Sequence, residues 1–570
     1  MAIWCQFKTA LKWLLLLVLA LILAFLLWVW SLQWQPVRAA LAGESLVQTD
    51  AGWVQGWRLP GRSIFLGIPY AQAPVGDLRW AAPQAAEKWG GARMALLPKG
   101  ICAQPAVPEL RVPQSLAEDC LGLNIFKPVN HTGRPLPVMI WIHGGGFVLG
   151  SGNFTLASDL AERGQVIVVA INYRLGVLGF LAHPALSVED GQAVGNYGLL
   201  DQQMAIQWVK RNAAAFGGDA NNITIFGQSA GGTSVCAQLM SPAMAGQFQA
   251  AIVQSGVCSS HLMQAMPAAL QVGVDLVHQL PCQGRQGRQL LACLRALPVE
   301  KMLPLLGRVG ATSEVPLRPV YGSAVLPQAP DAAFAQGHFH RVPLLIGSTR
   351  DEGTLLVALG INQNNHRRPQ PLNAAQLQAQ DTPAAFAQGV AQYFGAAALP
   401  NLQARYPLTR YGGKGSAALA AMLTDGLFAC NADSLRRSAA KHGVPVYGYE
   451  FAQAPAGGLI KNDISGVNLG AYHGAEFASL FFYPFYRLDA QQQQLADDMK
   501  DYWASFARQQ QPVAGRKGAA VWPAFRIAKP QLLSLQASGS VVQDDFAQRH
   551  QCDFWQGQDA PASVAGNPNR

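Results

Sequence analysis

The sequence predicts an α/β protein with one large, mostly parallel β-sheet and helices on both of its faces. Residues 138–142, 166–171 and 344–346 are short continuous apolar runs, the pattern of strands that are buried on both faces. A helical pattern at residues 200–216 follows two of these runs, and strands that alternate with helices indicate parallel pairing. The chain has 570 residues, 50% hydrophobic and 13% charged, so it is able to fill a large core.

The other strands follow in order along the chain. Residues 54–57 and 64–69 are predicted to form a hairpin, because Pro60 and Gly61 supply a turn between them. Further short strands are predicted at residues 123–126, 223–226, 251–253, 446–451 and 532–535.

Composition divides the chain into three predicted segments. Residues 1–42 are predicted to be a signal anchor or a signal peptide, residues 43–556 a single folded domain, and residues 557–570 a disordered tail. Within the domain, residues 362–385 are rich in Gln, Asn and Pro and are predicted to be an exposed insertion.

The N-terminal segment carries a membrane-targeting pattern. Lys8 and Lys12 precede an apolar run at residues 13–32, and about 20 apolar residues suffice to span a bilayer. The lysines favour an N-inside orientation, which exports the rest of the chain. Ala40-Leu41-Ala42 offers a signal-peptidase site, but the run is longer than a signal-peptide core, so we favour an uncleaved anchor. Either outcome predicts an exported protein.

Charge and cysteine content narrow the function classes. The net charge is +9, but the basic residues are scattered, so we predict no nucleic-acid binding. Nine cysteines in an exported chain are candidates for disulfides, with Cys5 left on the cytoplasmic side. Cys236 and Cys258 lie in apolar segments and are predicted to be buried free thiols.

The stretch Gly227-Gln228-Ser229-Ala230-Gly231 is the centre of the predicted site. It directly follows the strand at residues 223–226, and Ala230 is able to begin a helix. A strand that turns at once into a helix forces the turn residue into a strained conformation and exposes its side chain. The two glycines allow strand and helix to approach without a Cβ clash. The pattern predicts Ser229 as a nucleophile; an ordinary Gly/Ser turn is the alternative.

A serine nucleophile needs a base, an acid that orients the base, and donors for the oxyanion. His473 stands beside Gly474 on a predicted loop well after the serine and is the candidate base. Asp351 and Glu352 follow the strand at residues 344–346, and spacing alone leaves either as the acid. The order serine, acid, histidine is that of α/β-hydrolases.

The glycines after the strand at residues 138–142 predict an oxyanion loop. His143-Gly144-Gly145-Gly146 leaves that strand with no side chain to block its backbone N–H groups. Together with the N–H of Ala230, this loop would supply two or three donors to an oxyanion. His143 is predicted to anchor the loop rather than to act as a catalyst.

From about Gln48 to Trp555 the chain resembles the type-B carboxylesterase/lipase family of α/β-hydrolases, which includes cholinesterases and bacterial nitrobenzyl-type esterases. Besides the glycine loop and the serine motif, the resemblance is carried by residues 65–71 (FLGIPYA), 118–124 (EDCLGLN), 216–219 (FGGD), 254–256 (QSG), 351–353 (DEG) and 473–476 (HGAE). The resemblance implies an α/β-hydrolase fold with insertions around a gorge. It also implies hydrolysis of small-molecule carboxylic esters without a cofactor or a metal.

The resemblance also assigns residues. Ser229 would be the nucleophile, Glu352 rather than Asp351 the acid, and His473 the base. The donors to the oxyanion would be the backbone N–H groups of Gly145, Gly146 and Ala230. The family's disulfides would correspond to Cys102–Cys120, Cys282–Cys293 and Cys430–Cys552.

Two positions depart from the family's pattern. Gln228 stands where the family usually has glutamate before the serine, which removes one buried negative charge next to the triad. Arg93 stands where cholinesterases have a tryptophan, so we expect neutral or anionic esters rather than choline esters. Two alternatives remain: a non-catalytic partner-binding module on the same fold, and a lipase or amidase with the same triad. The aromatic run at residues 480–486 is predicted either to line the substrate entrance or to be core.

Overall fold

An eleven-stranded sheet is the centre of the part of the chain that the structure describes. The computed structural model describes residues 17–24, 45–129, 133–190, 194–306, 317–359, 381–455, 469–483 and 487–557. The large sheet is formed by β3 (Trp57–Leu59), β4 (Arg62–Pro69), β6 (Gly122–Pro128), β7 (Leu136–Ile142), β8 (Ile167–Ile171), β9 (Gly218–Gln228), β10 (Ala250–Gln254), β13 (Leu344–Thr349), β14 (Val446–Phe451), β15 (Leu532–Leu535) and β16 (Val541–Gln543). One small sheet contains β1 (Leu46–Gln48), β2 (Trp53–Gln55) and β5 (Ala92–Met94). Another contains β11 (Gln264–Ala265) and β12 (Val320–Tyr321).

Most neighbours in the large sheet are parallel. The spatial order is β16-β15-β14-β13-β10-β9-β7-β8-β6-β4-β3. The pairs from β8 through β15 are parallel, whereas β3, β4 and β6 at one edge and β16 at the other pair antiparallel. The predicted mostly parallel sheet is therefore confirmed. In such sheets, ligands bind beyond the carboxyl ends of the parallel strands.

Helices cover both faces of the sheet, because the central strands are apolar on both sides. Along β7, Val138 and Ile140 pack into one core cluster, while Met139 and Trp141 pack into another. The α-helices span Ser158–Gly164, Gly176–Phe180, Pro184–Asp190, Tyr197–Asn212, Ala230–Met240, Met266–Val277, Gly287–Ala296, Val299–Leu306, Pro330–Gln336, Glu352–Ala358, Pro383–Phe394, Leu399–Arg405, Gly415–Leu423, Cys430–Lys441, Phe477–Leu480, Ala490–Gln509, Phe546–Arg549 and Cys552–Gln556.

The predicted strands differ from the observed ones mainly at their ends. The hairpin turns at Pro60 and Gly61, but its first strand is β3; the apolar pair at 53–54 belongs to β2 in a separate sheet. The serine strand, β9, begins at Gly218, earlier than predicted. The prediction missed its first residues because Asp219, Asn221 and Asn222 are polar and give this part no strand pattern. The short edge strand β16 was not predicted.

Several predictions fall on parts of the chain that the structure describes incompletely. Of the apolar run at residues 13–32, the structure describes residues 17–24, which are helical. Among the described residues, no helix is long and apolar enough to cross a membrane. Residues 362–380 of the predicted insertion and residues 558–570 of the predicted tail lie outside the described residues.

The structure pairs eight cysteines. Cys102–Cys120, Cys282–Cys293 and Cys430–Cys552 are joined, as the family resemblance implied. The structure also joins Cys236 to Cys258, so the prediction of two free thiols was wrong. The apolar segments that carry these two cysteines, the helix Ala230–Met240 and the loop after β10, pack side by side, which sequence separation did not reveal. Disulfides are typical of chains that fold in an oxidising compartment, consistent with export.

Candidate active site

Ser229 occupies a strained turn between β9 and the helix Ala230–Met240. Its φ of 58° and ψ of −125° lie outside the regions that non-glycine residues ordinarily adopt. The backbone around it is held by two hydrogen bonds: Ser229 N donates to the carbonyl of Gln254 on β10, and Ser229 O accepts from Thr233 N. The strain therefore persists because neighbouring elements fix it, which is typical of functional turns.

Glycines on both sides of Ser229 make this turn possible. A Cβ atom at Gly231 would overlap the carbonyl oxygen of Ile142 at the end of β7. One at Gly227 would come within 2.5 Å of the Gly231 backbone. The glycines are thus required by close packing of the strand, the helix and the end of β7, as the motif predicted.

His473 and Glu352 are in direct contact. The Nδ1 atom of His473 lies 2.5 Å from Oε2 of Glu352. The other carboxylate oxygen of Glu352, Oε1, accepts a hydrogen bond from Thr349 N at 2.8 Å, and the side chain is fully buried. Asp351 instead accepts from Ala471 N and pairs with Arg350. Of the two carboxylates that spacing left open, Glu352 is the one that reaches the histidine.

The electrostatic surroundings favour a proton on His473. Burial lowers its pKa, but the charge and hydrogen bond of Glu352 outweigh burial and raise the pKa above the ordinary value. A second carboxyl, Glu476, is also buried here, and burial together with the charge of Glu352 raises its pKa to about 7. Its Oε1 accepts a hydrogen bond from Gln254 Nε2, whereas Oε2 has no partner among the described residues.

The backbone N–H groups of Gly145, Gly146 and Ala230 belong to residues that line one cavity together with Ser229. Gly145 and Gly146 have φ values of 110° and 61°, which favour glycine and turn the loop back on itself. Among the described residues, none accepts a hydrogen bond from these three N–H groups. Within the described part of the chain, these three N–H groups therefore have no acceptor, and the oxyanion role stays a prediction.

His143 anchors the loop. Its ring stacks on Tyr173 with centroids 4.4 Å apart, and its Nδ1 atom lies 2.9 Å from the carbonyl oxygen of Gly144. The hydroxyl of Tyr173 donates to the carbonyl of His143. Burial lowers the pKa of His143 to about 4, so the ring stays neutral. These contacts fit the predicted structural role.

The cavity above Ser229 has a volume of about 450 Å³, within the range of sites for small organic ligands. Most of its wall is apolar. The large apolar and aromatic side chains are Leu110, Val112, Trp141, Phe147, Leu149, Phe154, Leu156, Leu262, Leu355, Leu356, Leu359, Phe428, Tyr472, Phe477, Phe482 and Tyr483. Among the described lining residues none is Asp or Glu, and the cations are Arg111 and Arg318. Burial lowers the pKa of Arg318 to about 10, and its Nη1 donates to the carbonyl of His261.

In the aromatic run at residues 480–486, some residues belong to the core and others line the cavity. Leu480 and Phe481 are buried core, whereas Phe482 is half-exposed and lines the cavity. Phe482 N donates to the carbonyl of Leu156, another partly exposed residue, so the two form an apolar rim at the cavity. Residues 484–486 lie outside the described residues.

Arg93 lies away from the cavity. It is exposed on β5, and its guanidinium lies 4.9 Å from the ring centroid of Trp89. Neither residue is among those that line the cavity. The prediction that Arg93 replaces a choline-binding tryptophan was wrong, because this strand pairs within a separate small sheet.

Sequence reasoning missed two neighbours of His473. The Nε2 atom of Gln228 lies 3.2 Å from His473 Nε2, and the ring of Phe428 lies 4.8 Å from the imidazole. Gln228 was noted as a departure from the family, but its contact with the base depends on the distant loop that carries His473. Phe428 lies in a π-helical turn, Thr424–Ala429, and π-helical turns are frequent at functional sites.

Comparison with known proteins identifies the family of the chain. A sequence model described as "Carboxylesterase family" matches residues 43–555. The chain belongs to the carboxylesterase family. It is 34% identical to a cocaine esterase of Oryctolagus cuniculus over 87% of this chain and 91% of the relative. It is also 34% identical to pyrethroid hydrolase Ces2a of Mus musculus over 87% of each chain.

A bacterial relative is more similar over a shorter stretch. The para-nitrobenzyl esterase of Bacillus subtilis (strain 168) is 39% identical over 54% of this chain and 63% of the relative. These relatives establish that the protein is a carboxylic-ester hydrolase with the α/β-hydrolase fold. The predicted family, fold and enzyme class are thereby confirmed.

Proposed function

We propose that the protein hydrolyses carboxylic esters through an acyl-enzyme formed on Ser229, with His473 as general base and Glu352 as the acid that orients it. The observation that carries the proposal is the 2.5 Å contact between His473 Nδ1 and Glu352, which lies at the same cavity as the strained Ser229 turn. A buried carboxylate on Nδ1 leaves Nε2 as the proton acceptor, the tautomer that this chemistry requires.

In the acylation step, Ser229 Oγ attacks the ester carbonyl while His473 Nε2 takes the hydroxyl proton. The negative charge that develops on the carbonyl oxygen is stabilised by the N–H groups of Gly145, Gly146 and Ala230, each supplying about 2.7–4 kcal/mol. His473 then gives the proton to the leaving alcohol, and the C–O bond of the ester breaks. In deacylation a water loses its proton to His473, attacks the acyl group and releases the acid and Ser229.

The substrates are proposed to be neutral or anionic esters with a large apolar group. The proposal rests on the apolar wall, on the absence of a carboxylate among the described lining residues, and on the cationic Arg318. A quaternary ammonium substrate would find no anionic partner there. A preference for short or for long acyl chains distinguishes an esterase from a lipase. Turnover of an amide with the same acyl group as the ester tests amidase activity.

The N-terminal segment is proposed to anchor the enzyme in a membrane with the catalytic domain exported. The apolar run at residues 13–32 and the two preceding lysines support this proposal. Membrane fractionation of the expressed full-length chain tests it: an anchor predicts that Edman sequencing of the membrane fraction begins at the N-terminal residues. A mature protein that begins near Gly43 and is recovered without detergent would contradict the anchor.

The test of the activity is hydrolysis of p-nitrophenyl esters from acetate to palmitate by the full-length chain in mild detergent. Ser229→Ala is expected to abolish turnover, while the matched variant Ser538→Ala, at an exposed serine outside the cavity, is expected to retain it. Equal turnover by Ser229→Ala and the wild type would refute the role of Ser229. No turnover by folded wild-type enzyme on any chain length would refute the substrate class.

A further inference from the structure

The side chain of Gln228 occupies the face of His473 that must accept the serine proton. His473 Nδ1 is committed to Glu352, so in the neutral ring the lone pair is on Nε2. The amide nitrogen of Gln228 lies 3.2 Å from that atom. Because an amide nitrogen carries protons and has no free lone pair, it donates to a neutral Nε2 and offers nothing to a protonated one.

Gln228 is held in this place by close packing. It is the last residue of β9 and is 3% exposed. A Cβ atom added at Gly144 in the oxyanion loop would lie 3.1 Å from its Oε1, and one added at Gly474 would lie 3.8 Å from its Nε2. The amide therefore lies between the loop that stabilises the oxyanion and the loop that carries the base.

The charged groups that face His473 act in the opposite sense. Glu352 and Glu476 are the carboxyls whose charges favour the imidazolium, and the neighbouring ring of Phe428 is neutral. Gln228 is the group whose hydrogen bond favours the neutral ring. A glutamate at this position would be a third carboxylate and would accept from a protonated Nε2.

We propose that Gln228 is a positioning residue: its amide N–H holds the imidazole of His473 in the neutral, proton-accepting form and in the orientation that faces Ser229. This inference rests on the proposed function. During acylation the amide yields Nε2 to the proton of Ser229. The enzyme is thereby kept active at a lower pH than it would be with glutamate at this position.

The experiment measures how pH changes the rate at which a fluorophosphonate labels Ser229 in the full-length chain. In this reaction the Oγ–P bond forms, fluoride leaves phosphorus, and the hydroxyl proton goes to His473. Gln228→Glu is expected to raise the midpoint of the acid limb by about one pH unit or more, because a carboxylate near the ring favours its charged form. The surface variant Gln403→Glu carries the same charge change and is expected to keep the wild-type midpoint.

A second variant separates positioning from space filling. Gln228→Met keeps the volume but lacks the amide, so the labelling rate on the alkaline plateau is expected to fall about five- to tenfold, the loss of one hydrogen bond. A wild-type plateau in this variant, or a wild-type midpoint in folded Gln228→Glu, would overturn the proposal. If Gln228→Glu does not fold, Gln228→Asp and Gln228→Asn form the charged and neutral pair, and equal midpoints in the two overturn it.

Labelling also keeps this test independent of the substrate. If no ester is turned over but the fluorophosphonate still labels Ser229 with the predicted pH shifts, the proposed substrate class fails and the role of Gln228 stands. If esters are hydrolysed and the shifts are absent, the role of Gln228 fails and the proposed function stands.

Discussion

The Nδ1 atom of His550 lies 2.5 Å from Oδ1 of Asp425, and both side chains are buried. The Nε2 atom of the same ring lies 2.8 Å from Oε1 of Glu450, which also pairs with Arg549. A buried imidazole between two ionised carboxylates is favoured as the cation, because both ring nitrogens are then donors.

This cluster makes stability depend on pH on the alkaline side. Burial lowers the pKa of His550, but its hydrogen bonds to Asp425 and Glu450 outweigh burial and raise the pKa to about 9. Burial raises the pKa of Asp425, whereas Glu450, despite burial, has its pKa lowered to about 2 by His550 and Arg549. We therefore assign most of the stabilisation to the Glu450 contact.

The free energy of unfolding is expected to lose up to about 3 kcal/mol between the unfolded pKa of about 6.5 and pH 9. The sign follows from a pKa that is raised on folding: the contribution is complete below 6.5 and disappears as the pH rises. Denaturant unfolding from pH 6 to pH 10 measures it. His550→Gln, which carries no titrating ring, is expected to be less stable at pH 6 and to lack this alkaline decline; a parallel decline in both proteins would refute the assignment.

Glu352→Gln tests the assignment of the acid. The amide keeps the shape but no longer stabilises the imidazolium or selects the Nδ1–H tautomer, so kcat is expected to fall about 10³–10⁴-fold. Asp351→Asn is the matched control at the adjacent position, where the side chain bonds to Ala471 N rather than to the histidine. The measurement is kcat for one p-nitrophenyl ester. Comparable losses of kcat in both variants would show that the contact of Glu352 with His473 is not the cause of the loss.

Gly231→Ala tests the packing behind the serine turn. The added methyl group would overlap the carbonyl of Ile142, so β7 and the helix Ala230–Met240 must separate. Overpacking of this kind costs about 1–3 kcal/mol or more, and activity should fall with it because the oxyanion donors move. Thermal unfolding and ester turnover are the measurements. Gly90→Ala, where a Cβ meets nothing within 4 Å, should match the wild type in both.

Arg318→Gln tests the charge preference of the cavity. Loss of the cation is expected to lower kcat/KM about 10–100-fold for an ester whose acyl group ends in a carboxylate, relative to its neutral analogue, because charge-assisted hydrogen bonds are lost. Arg93→Gln, outside the cavity, is expected to leave the ratio unchanged. The ratio of the two kcat/KM values is the readout, and an unchanged ratio in Arg318→Gln would remove the argument for anionic substrates.

The disulfides are expected to contribute according to the loops they close. Cys430–Cys552 spans 122 residues of sequence and Cys282–Cys293 spans 11. In the chain-entropy model, replacing both cysteines by serine costs about 5 kcal/mol for the long loop and about 3 kcal/mol for the short one. The unfolding midpoints of the two double variants show which disulfide stabilises more. A larger loss of stability on removing the short-loop disulfide would contradict the entropic account.

The elements that carry chemistry were predictable where the pattern is local. The motif around Ser229, the glycine loop after β7 and the buried runs of β13 and β14 are read from neighbouring residues alone. Spacing left Asp351 and Glu352 open, and the family resemblance chose Glu352. The edge strand β16 was missed because a three-residue, largely exposed strand has no apolar pattern of its own.

The sequence by itself determined the fold class and the candidate nucleophile, because local backbone constraints and apolar periodicity require particular residue types at fixed spacing. The enzyme class followed from the resemblance of its motifs to the carboxylesterase family. Only the tertiary structure decided which groups meet. Gln228 contacts His473, which is 245 residues away in sequence, and Cys236 is bonded to Cys258. Arg93 lies beside Trp89, outside the cavity. The physical reason is that contacts between distant segments depend on sheet order and loop paths, which no local pattern encodes.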